Sequence, residues 1–363
     1  MSEKREVRVA IVGCGGIGMG KHMPSLALLK HVKMVAFCDI IEERAVEAAK
    51  KFGVEGAKVS TDYKEIFKDD TIEVVHVCTP NRSHAEISIA AMEAGKHVMC
   101  EKPMAKTAAE AREMVEAAKK TGMKLTVGYQ TRHSAEGQYL KQAVEAGELG
   151  DIYFAKAHAI RRRAVPTWGV FLNEYEQGGG PLIDIGTHAL DITLWTMNNY
   201  KPKFVVGTTY RELADRENAA NAWGPWDPKE FTVEDSAFGF VVMENGATII
   251  LESSWALNTL QVAEAKTTLC GTEGGADTLD GLRINGEKFG KLYTEKPELD
   301  AGGAAFYDGH SETPANREAR LWIDSVINDT DPVVMPEQAL VVTEILEGIY
   351  ESAKSGEPYY FNK

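Results

Sequence analysis

Val7-Arg8-Val9-Ala10-Ile11-Val12-Gly13-Cys14-Gly15-Gly16-Ile17-Gly18 decides how this chain folds, because an apolar strand runs directly into glycines and then into a helix. The spacing of Gly13, Gly15 and Gly18 is that of a dinucleotide grip. Gly13 takes backbone angles that a side chain forbids, and Gly15 lets the main chain approach a pyrophosphate. Gly18 brings the following helix close to the strand. Gly16 and Ile17 complete the turn, and the helix starting near Ile17 aims its unpaired N–H groups and positive dipole end at the phosphates.

A glycine triplet is a weak signal by itself, so its surroundings carry the reading. Val32–Cys38 is a second apolar run, and Asp39 follows it at about 20 residues beyond Gly18, where a carboxylate receives the adenosine ribose hydroxyls of NAD. The same charge repels a 2′-phosphate. Ile40 and Ile41 bring no cation, although Arg44 stands nearby, so the expected cofactor is NAD rather than NADP. Ile40 is expected beside it.

A chain of 363 residues is long enough for two domains, and 44% hydrophobic with 26% charged residues is the composition of an ordinary globular protein. No apolar run approaches a membrane span, and the charged start Met1-Ser2-Glu3-Lys4-Arg5-Glu6 leads into a strand rather than a signal peptide. The expectation is a cytoplasmic protein with no membrane partner. A net charge of −14 argues against nucleic acid. Cys14, Cys38, Cys78, Cys100 and Cys270 are odd in number and form no C-x-x-C pair, so they read as reduced core residues. No metal is expected, since His158 and His188 lack a compact ligand spacing.

From Val7 to Tyr129 strands alternate with helices. Val7–Val12, Val32–Cys38, Val74–Cys78, Val98–Cys100 and Leu125–Val127 are short apolar runs, and Ile17–Leu29, Ile41–Phe52, Ser83–Ala94 and Thr107–Lys120 have helical periodicity. Gly53, Gly95 and Gly122 are expected to end three helices in the left-handed conformation, and Ser83 to cap one. The pattern predicts an α/β fold with a doubly wound parallel sheet over residues 1–127. Its ligands belong beyond the carboxyl ends of the strands. Two segments fall there, Cys78-Thr79-Pro80-Asn81-Arg82-Ser83-His84 and Glu101-Lys102-Pro103.

Residues 128–363 read as a second α/β domain. A helix near Gln138–Ala146 and a strand Ile152–Ile160 precede a long loop, and a helix begins within Pro181–Asp191. Phe204–Tyr210, Ser236–Met243, Thr248–Trp255, Ala265–Cys270 and Leu282–Asn285 predict a mainly antiparallel sheet with an Asn245-Gly246 hairpin turn. Helices near Asn316–Ile327 and Pro336–Ala353 close this domain.

Asp184 and His188 are four residues apart and share one face of a helix, with Asp191 three beyond. An ionised Asp beside an imidazole orients it and raises its basicity, which suits removal of a hydroxyl proton near neutral pH. Lys102 stands at the ligand edge of the sheet. Trp168, Trp223 and Trp226 lie in loops and are candidates for a carbohydrate platform, because sugar C–H faces stack on indoles. Trp195, Trp255 and Trp322 read as core.

Gly13-Cys14-Gly15-Gly16-Ile17-Gly18, Glu101-Lys102-Pro103 and Asp184-Ile185-Gly186-Thr187-His188, in this order, resemble the glucose–fructose oxidoreductase, inositol dehydrogenase and MocA family (Gfo/Idh/MocA). The resemblance implies an N-terminal Rossmann domain, a C-terminal domain with a large open sheet, and a homo-oligomer (dimer, tetramer or hexamer). It assigns catalytic roles to Lys102, Asp184 and His188, all of which would also touch substrate, and a cis peptide before Pro103. It places Glu101 and Lys102, together with Thr79, Pro80, Asn81 and His84, at the cofactor. Within Gly128-Tyr129-Gln130-Thr131-Arg132-His133, Tyr129 is expected at the substrate and Gln130 at the cofactor, whereas the family often has an aromatic where His133 stands. Arg161-Arg162-Arg163 and Trp168-Gly169-Val170-Phe171 look like branches acting on sugars and glycosides, which puts Arg163 and Trp168 at the substrate.

The implied activity is NAD-dependent, reversible oxidation of a secondary hydroxyl of a sugar, polyol or glycoside, including C3 of a glucosyl group. The alternatives are an inositol dehydrogenase, an enzyme that uses NAD redox transiently to cleave or epimerise a glycoside, and a non-catalytic NAD-binding regulator.

Overall fold

In the computed structural model, residues 5–299 and 312–361 are described; the charged start Met1–Lys4 lies outside them. The chain forms two compact units, Met1–Gln130 with Glu312–Leu340, and Thr131–Ser311 with Val341–Lys363.

The first unit is built on six strands: β1 (Val7–Val12), β2 (Val32–Cys38), β3 (Lys58–Ser60), β4 (Val74–Val77), β5 (His97–Cys100) and β6 (Leu125–Val127). Their order is β3-β2-β1-β4-β5-β6 and every pairing is parallel. The order reverses between β1 and β4, which makes the crevice beyond their carboxyl ends the natural ligand position. β1 and β4 are almost wholly buried and apolar because helices cover both faces of such a sheet. The edge strand β3 and the short helix Tyr63–Phe67 escape the sequence reading, since a three-residue polar strand has no usable periodicity.

The helix Pro314–Ile327, expected in the second domain, belongs to this unit. Its Ala319, Trp322, Ile323 and Val326 complete the core around Val7, Val9, Ile11, Met23, Leu26 and Met34. Sequence order hides this because the segment returns from the far end of the chain. The expected helix Ile17–Leu29 is present as a continuous helical stretch that ends at Ala27, but Gly18–His22 within it is π-wound before the α segment Met23–Ala27. Gly95 (φ 74°) and Gly122 (φ 71°) end their helices left-handed as expected, but Gly53 is extended. Its requirement is space: a Cβ there would lie 2.6 Å from the Ala49 carbonyl oxygen and 2.8 Å from the Ala57 Cβ.

The second unit carries nine strands: β7 (Ile152–Ile160), β8 (Pro202–Tyr210), β9 (Ser236–Met243), β10 (Thr248–Ser254), β11 (Ala263–Gly271), β12 (Gly274–Asp277), β13 (Arg283–Lys288), β14 (Lys291–Glu295) and β15 (Tyr359–Tyr360). They form one sheet in the order β14-β13-β12-β11-β7-β10-β9-β8-β15, antiparallel except for the β7–β10 pair. Gly246 (φ 88°) makes the expected turn between β9 and β10. The helix Thr187–Met197 packs on β7 and β11 and is buried at every residue but His188, with Thr193 bonded to Thr267 across the contact. Val206 and Phe240 pair on the other face and stay 42% and 46% exposed, and the same face carries Lys156, His158, Glu252 and Lys266 further across the sheet. β12, β14 and β15 are two to five residues long, too short to show a periodicity, and the sequence does not announce them.

Candidate active site

The first unit presents a dinucleotide cradle built from β1, β2 and β4. Gly13 has φ 95°, and a Cβ on it would sit 2.5 Å from the Cys78 carbonyl; a Cβ on Gly18 would sit 2.5 Å from the Gly13 oxygen. Gly15 and Gly16 face open space, so the backbone there is accessible to a ligand. Asp39 at the end of β2 is buried and accepts the Cys14 amide at 2.8 Å and the Ile41 amide at 2.9 Å. The carboxylate therefore fixes the glycine loop and has lone pairs left to accept further hydrogen bonds. Ile17, Ile40 and Ile41 stay exposed beside it, Ile40 at 85%. Open glycine backbone, an anchored acid and bare apolar side chains together fit NAD. Burial, with Asp39 adding to it, pushes the Cys14 thiol up to about 12, so Cys14 is packing and not chemistry.

The loops after β4 and β5 are tied together by His84. Its ring nitrogens lie 2.9 Å from the Thr79 carbonyl and 2.8 Å from the Pro103 carbonyl, and it is fully buried. Both nitrogens are spent on the protein, which corrects the expectation of His84 as a cofactor ligand: it holds the loop that carries Thr79, Pro80 and Asn81. Burial lowers its pKa. Ser83 does not cap the next helix, because its hydroxyl turns back to Thr79 and to the Pro80 carbonyl. The Lys102–Pro103 peptide is cis, as the resemblance implies. Lys102 is half-buried. Tyr129 is fully buried, so the expected substrate contact is not offered by its ring, whereas Gln130 next to it is exposed.

Glu101 is likewise turned inward rather than toward a cofactor. Its carboxylate accepts Lys21 at 2.8 Å, pairs with His22 Nε2 at 2.7 Å and receives the Lys102 amide at 3.0 Å. Lys21 also reaches Glu318 at 2.9 Å, and His22 Nδ1 meets His76 Nδ1 at 2.9 Å. All five side chains are at least 90% buried. Burial raises the Glu101 pKa, but Lys21 and His22 outweigh it and hold the group well below the usual carboxylate range. Lys102 thus leaves a peptide anchored by a buried anion. The role of Lys21, His22 and Glu318 escaped the sequence reading, because Glu318 comes from a helix more than 200 residues away.

In the second unit, every residue from Pro181 to Met197 is buried except Asp184 and His188. Asp184 lies in a π turn, Leu182–Gly186, and His188 in the α-helix Thr187–Met197 that follows, so the expected regular helix is widened between them. Such turns are common at functional sites. The Trp255 indole donates to the Asp184 carboxylate at 3.0 Å, and the Arg161 guanidinium lies 3.9 Å from it. Trp255 was expected to be only core, and a tryptophan on a strand end carries no signal that its N–H has a task. Asp191 points elsewhere: it is fully buried against Arg132, at 2.6 Å.

The start of this helix is held by Glu234, whose carboxylate accepts the Gly180 and Leu182 amides and the Tyr350 hydroxyl, the last at 2.8 Å. Burial raises its pKa to about 7. Arg163 donates to Asn258, and it is Arg161, braced by Glu264, that approaches Asp184. Trp168 and Trp223 are 51% and 45% exposed, while Trp226 is buried with its N–H on the Ala214 carbonyl. Trp226 is therefore core, a correction to the expected platform of three. His158 is occupied by Glu252 and Thr268, at 3.2 and 3.0 Å. His133 is buried. The five cysteines are free. Among the described residues no helix is long and apolar enough to cross a membrane.

Residues 7–129 match the oxidoreductase family with an NAD-binding Rossmann fold, and residues 138–277 match the GFO/IDH/MocA C-terminal domain. The chain is 35% identical over 350 residues to the D-glucoside 3-dehydrogenase of Escherichia coli K12, covering 96% of each. It is 34% identical over 198 residues to the inositol 2-dehydrogenase of Salmonella typhimurium, covering 54% of this chain and 56% of that one. A levoglucosan dehydrogenase solved with NADH and levoglucosan shares the fold, with a TM-score of 0.82 at 23% identity over 99% of this chain and 100% of the other. A glycine cradle for a dinucleotide, an open antiparallel sheet and matches to both halves lead to one conclusion: the chain belongs to the Gfo/Idh/MocA family of NAD-binding oxidoreductases.

Proposed function

We propose that the protein is an NAD-dependent dehydrogenase that oxidises a secondary hydroxyl of a sugar or glycoside to a ketone, reversibly, with C3 of a glucosyl group as the favoured position. The observation that carries the reading is the exposure of Asp184 and His188 alone along Pro181–Met197, with the Asp184 carboxylate held by Trp255. These two polar side chains are the half-buried ones on an otherwise buried segment, which supports placing a polar ligand there. The similarity to a D-glucoside 3-dehydrogenase supports the substrate class and the carbon.

Gly13, Gly15, Gly16, Ile17, Gly18, Asp39 and Ile40 would hold the dinucleotide, with Thr79, Pro80, Asn81 and Gln130 bordering it. NAD, when bound, supplies the hydride acceptor. His188 takes the proton leaving the hydroxyl, and Asp184 orients the ring and favours its charged form. The resemblance to the family implies that Lys102, on a peptide anchored by Glu101, donates a hydrogen bond to the oxygen as negative charge grows there. In reduction His188 returns the proton.

Incubation with NAD and a panel of glucosides, free sugars and inositols, followed by NADH absorbance and NMR of the product, tests the reading. A 3-ketoglucoside is expected. A product oxidised only on an inositol assigns the inositol dehydrogenase reading, and no NADH from any member of the panel refutes the proposal. The free cysteines support a cytoplasmic protein, and the exposed Val206–Phe240 pair on the sheet supports a homo-oligomer, which light scattering of the purified protein checks.

A further inference from the structure

Of the six tryptophans, Trp195, Trp226, Trp255 and Trp322 are each under 9% exposed, and the two left open are set against each other. The Trp168 and Trp223 rings stand edge to face with centroids 4.8 Å apart, and Phe171 lies against Trp168 at 6.0 Å. They come from different loops, and those loops are cross-bonded. The Thr167 hydroxyl donates to the Trp223 carbonyl at 2.8 Å, the Asn221 side chain exchanges hydrogen bonds with both backbone groups of Val165, and the Ala222 amide reaches the Arg163 carbonyl. Indoles held this firmly lose little freedom when a ligand arrives.

The ledge is also wired to the acid of the candidate site. The Arg161 guanidinium lies over the Trp223 ring at 5.5 Å and 3.9 Å from the Asp184 carboxylate, and Glu264 grips its other edge. One side chain therefore spans from the exposed aromatic pair to Asp184. A ligand whose hydroxyl meets Asp184 and His188 has this aromatic surface within a ring's reach.

We propose that Trp168 and Trp223 form an aglycone subsite, which receives the flat apolar face of the ring attached to the sugar being oxidised. That ring is either a second pyranose, offering axial C–H bonds, or an aryl group, offering a π face; both bring a flat apolar surface that an indole can cover. The inference rests on the dehydrogenase reading above and narrows its substrates to glycosides carrying a ring aglycone.

The test measures equilibrium binding by calorimetry, with NAD present, of methyl β-glucoside, phenyl β-glucoside and cellobiose to the parent, to W168A and to W223A. NADH formation from each is followed in parallel. The parent is expected to bind at least one ring glycoside about tenfold more tightly than the methyl glycoside. Each alanine variant should bring that ratio toward one, while W223F retains part of it. Loss in the phenyl arm alone identifies an aryl aglycone, and loss in the cellobiose arm alone identifies a second sugar. A parent without preference, or variants that keep it, overturns the subsite. Variants that lower all three affinities equally overturn it too, since that is the signature of a loop that has lost its shape. Preferential binding without NADH from any sugar leaves the subsite standing and removes the dehydrogenase reading instead.

Discussion

Replacing Lys21 by methionine removes the one cation bonded to both Glu101 and Glu318. Lys21 lies 2.8 Å from one carboxylate and 2.9 Å from the other, and the three side chains are 10%, 7% and 4% exposed. Lys21 meets Glu318 at Oε2, and Oε1 has no hydrogen-bond partner among the described residues. Methionine fills a similar volume, so the loss is electrostatic rather than a cavity. Removing one member of a buried ionic cluster costs about 3–5 kcal/mol, because charges stay buried without compensation. For a unit of this size that is a fall in Tm of about 10 °C.

The pH dependence has a defined sign. In the parent, Glu101 is held well below the usual carboxylate range, so its stabilisation is present above the unfolded-state pKa and is lost as pH falls through the folded one. Without Lys21 both carboxylates take protons more readily in the folded state. The variant then binds more protons folded than unfolded, and its stability falls as pH rises. Calorimetric unfolding at about pH 5 and about pH 7.5 should show the Tm gap between parent and K21M widening at the higher pH. Adding Glu318→Gln to K21M should recover part of the loss. A gap independent of pH, or a loss under about 1 kcal/mol, refutes the buried charge argument.

Lys102→Met should keep NAD affinity, measured by fluorescence titration, and lower kcat by about a hundredfold or more; unchanged turnover removes Lys102 from the chemistry. Asp39→Ala deletes the acceptor of the Cys14 and Ile41 amides, so it should weaken NAD binding and relax the discrimination against NADP. Equal NAD affinity in the variant dissociates Asp39 from the cofactor. Glu234 carries a folded pKa raised to about 7, so it contributes stability below its unfolded pKa that is lost as pH rises toward 7. E234Q should therefore unfold earlier in acid, with a Tm that no longer declines between about pH 5 and about pH 7; an undiminished decline assigns the slope to another group.

The Rossmann half was legible because its signals are local. Strand, glycines, helix and Asp39 follow one another in the chain, and Gly13 with φ 95° is demanded by the turn itself. Five strands of the first sheet and the long strands of the second were placed within a few residues for the same reason, since each presents its own apolar run. The short strands β3, β12, β14 and β15 were missed because two to five residues are too few to show a periodicity. The spacing of Asp184 and His188 was visible, but the π turn between them was not, as nothing in Leu182–Gly186 announces a widened helix.

By itself the sequence determined the fold class and the glycine turn after β1, because each follows from residues near one another in the chain and from backbone sterics. Only the tertiary structure decided which polar side chains are spoken for. His84 spends both ring nitrogens on two loops, Glu101 faces Lys21 and His22, and Asp191 is claimed by Arg132. Trp255, by contrast, turns out to hold Asp184, and Trp168 and Trp223 stay open together while Trp226 is buried. The reason is that a buried polar group must find a partner within about 3 Å, and the partner is supplied by whatever the packing brings alongside, often from a hundred or more residues away.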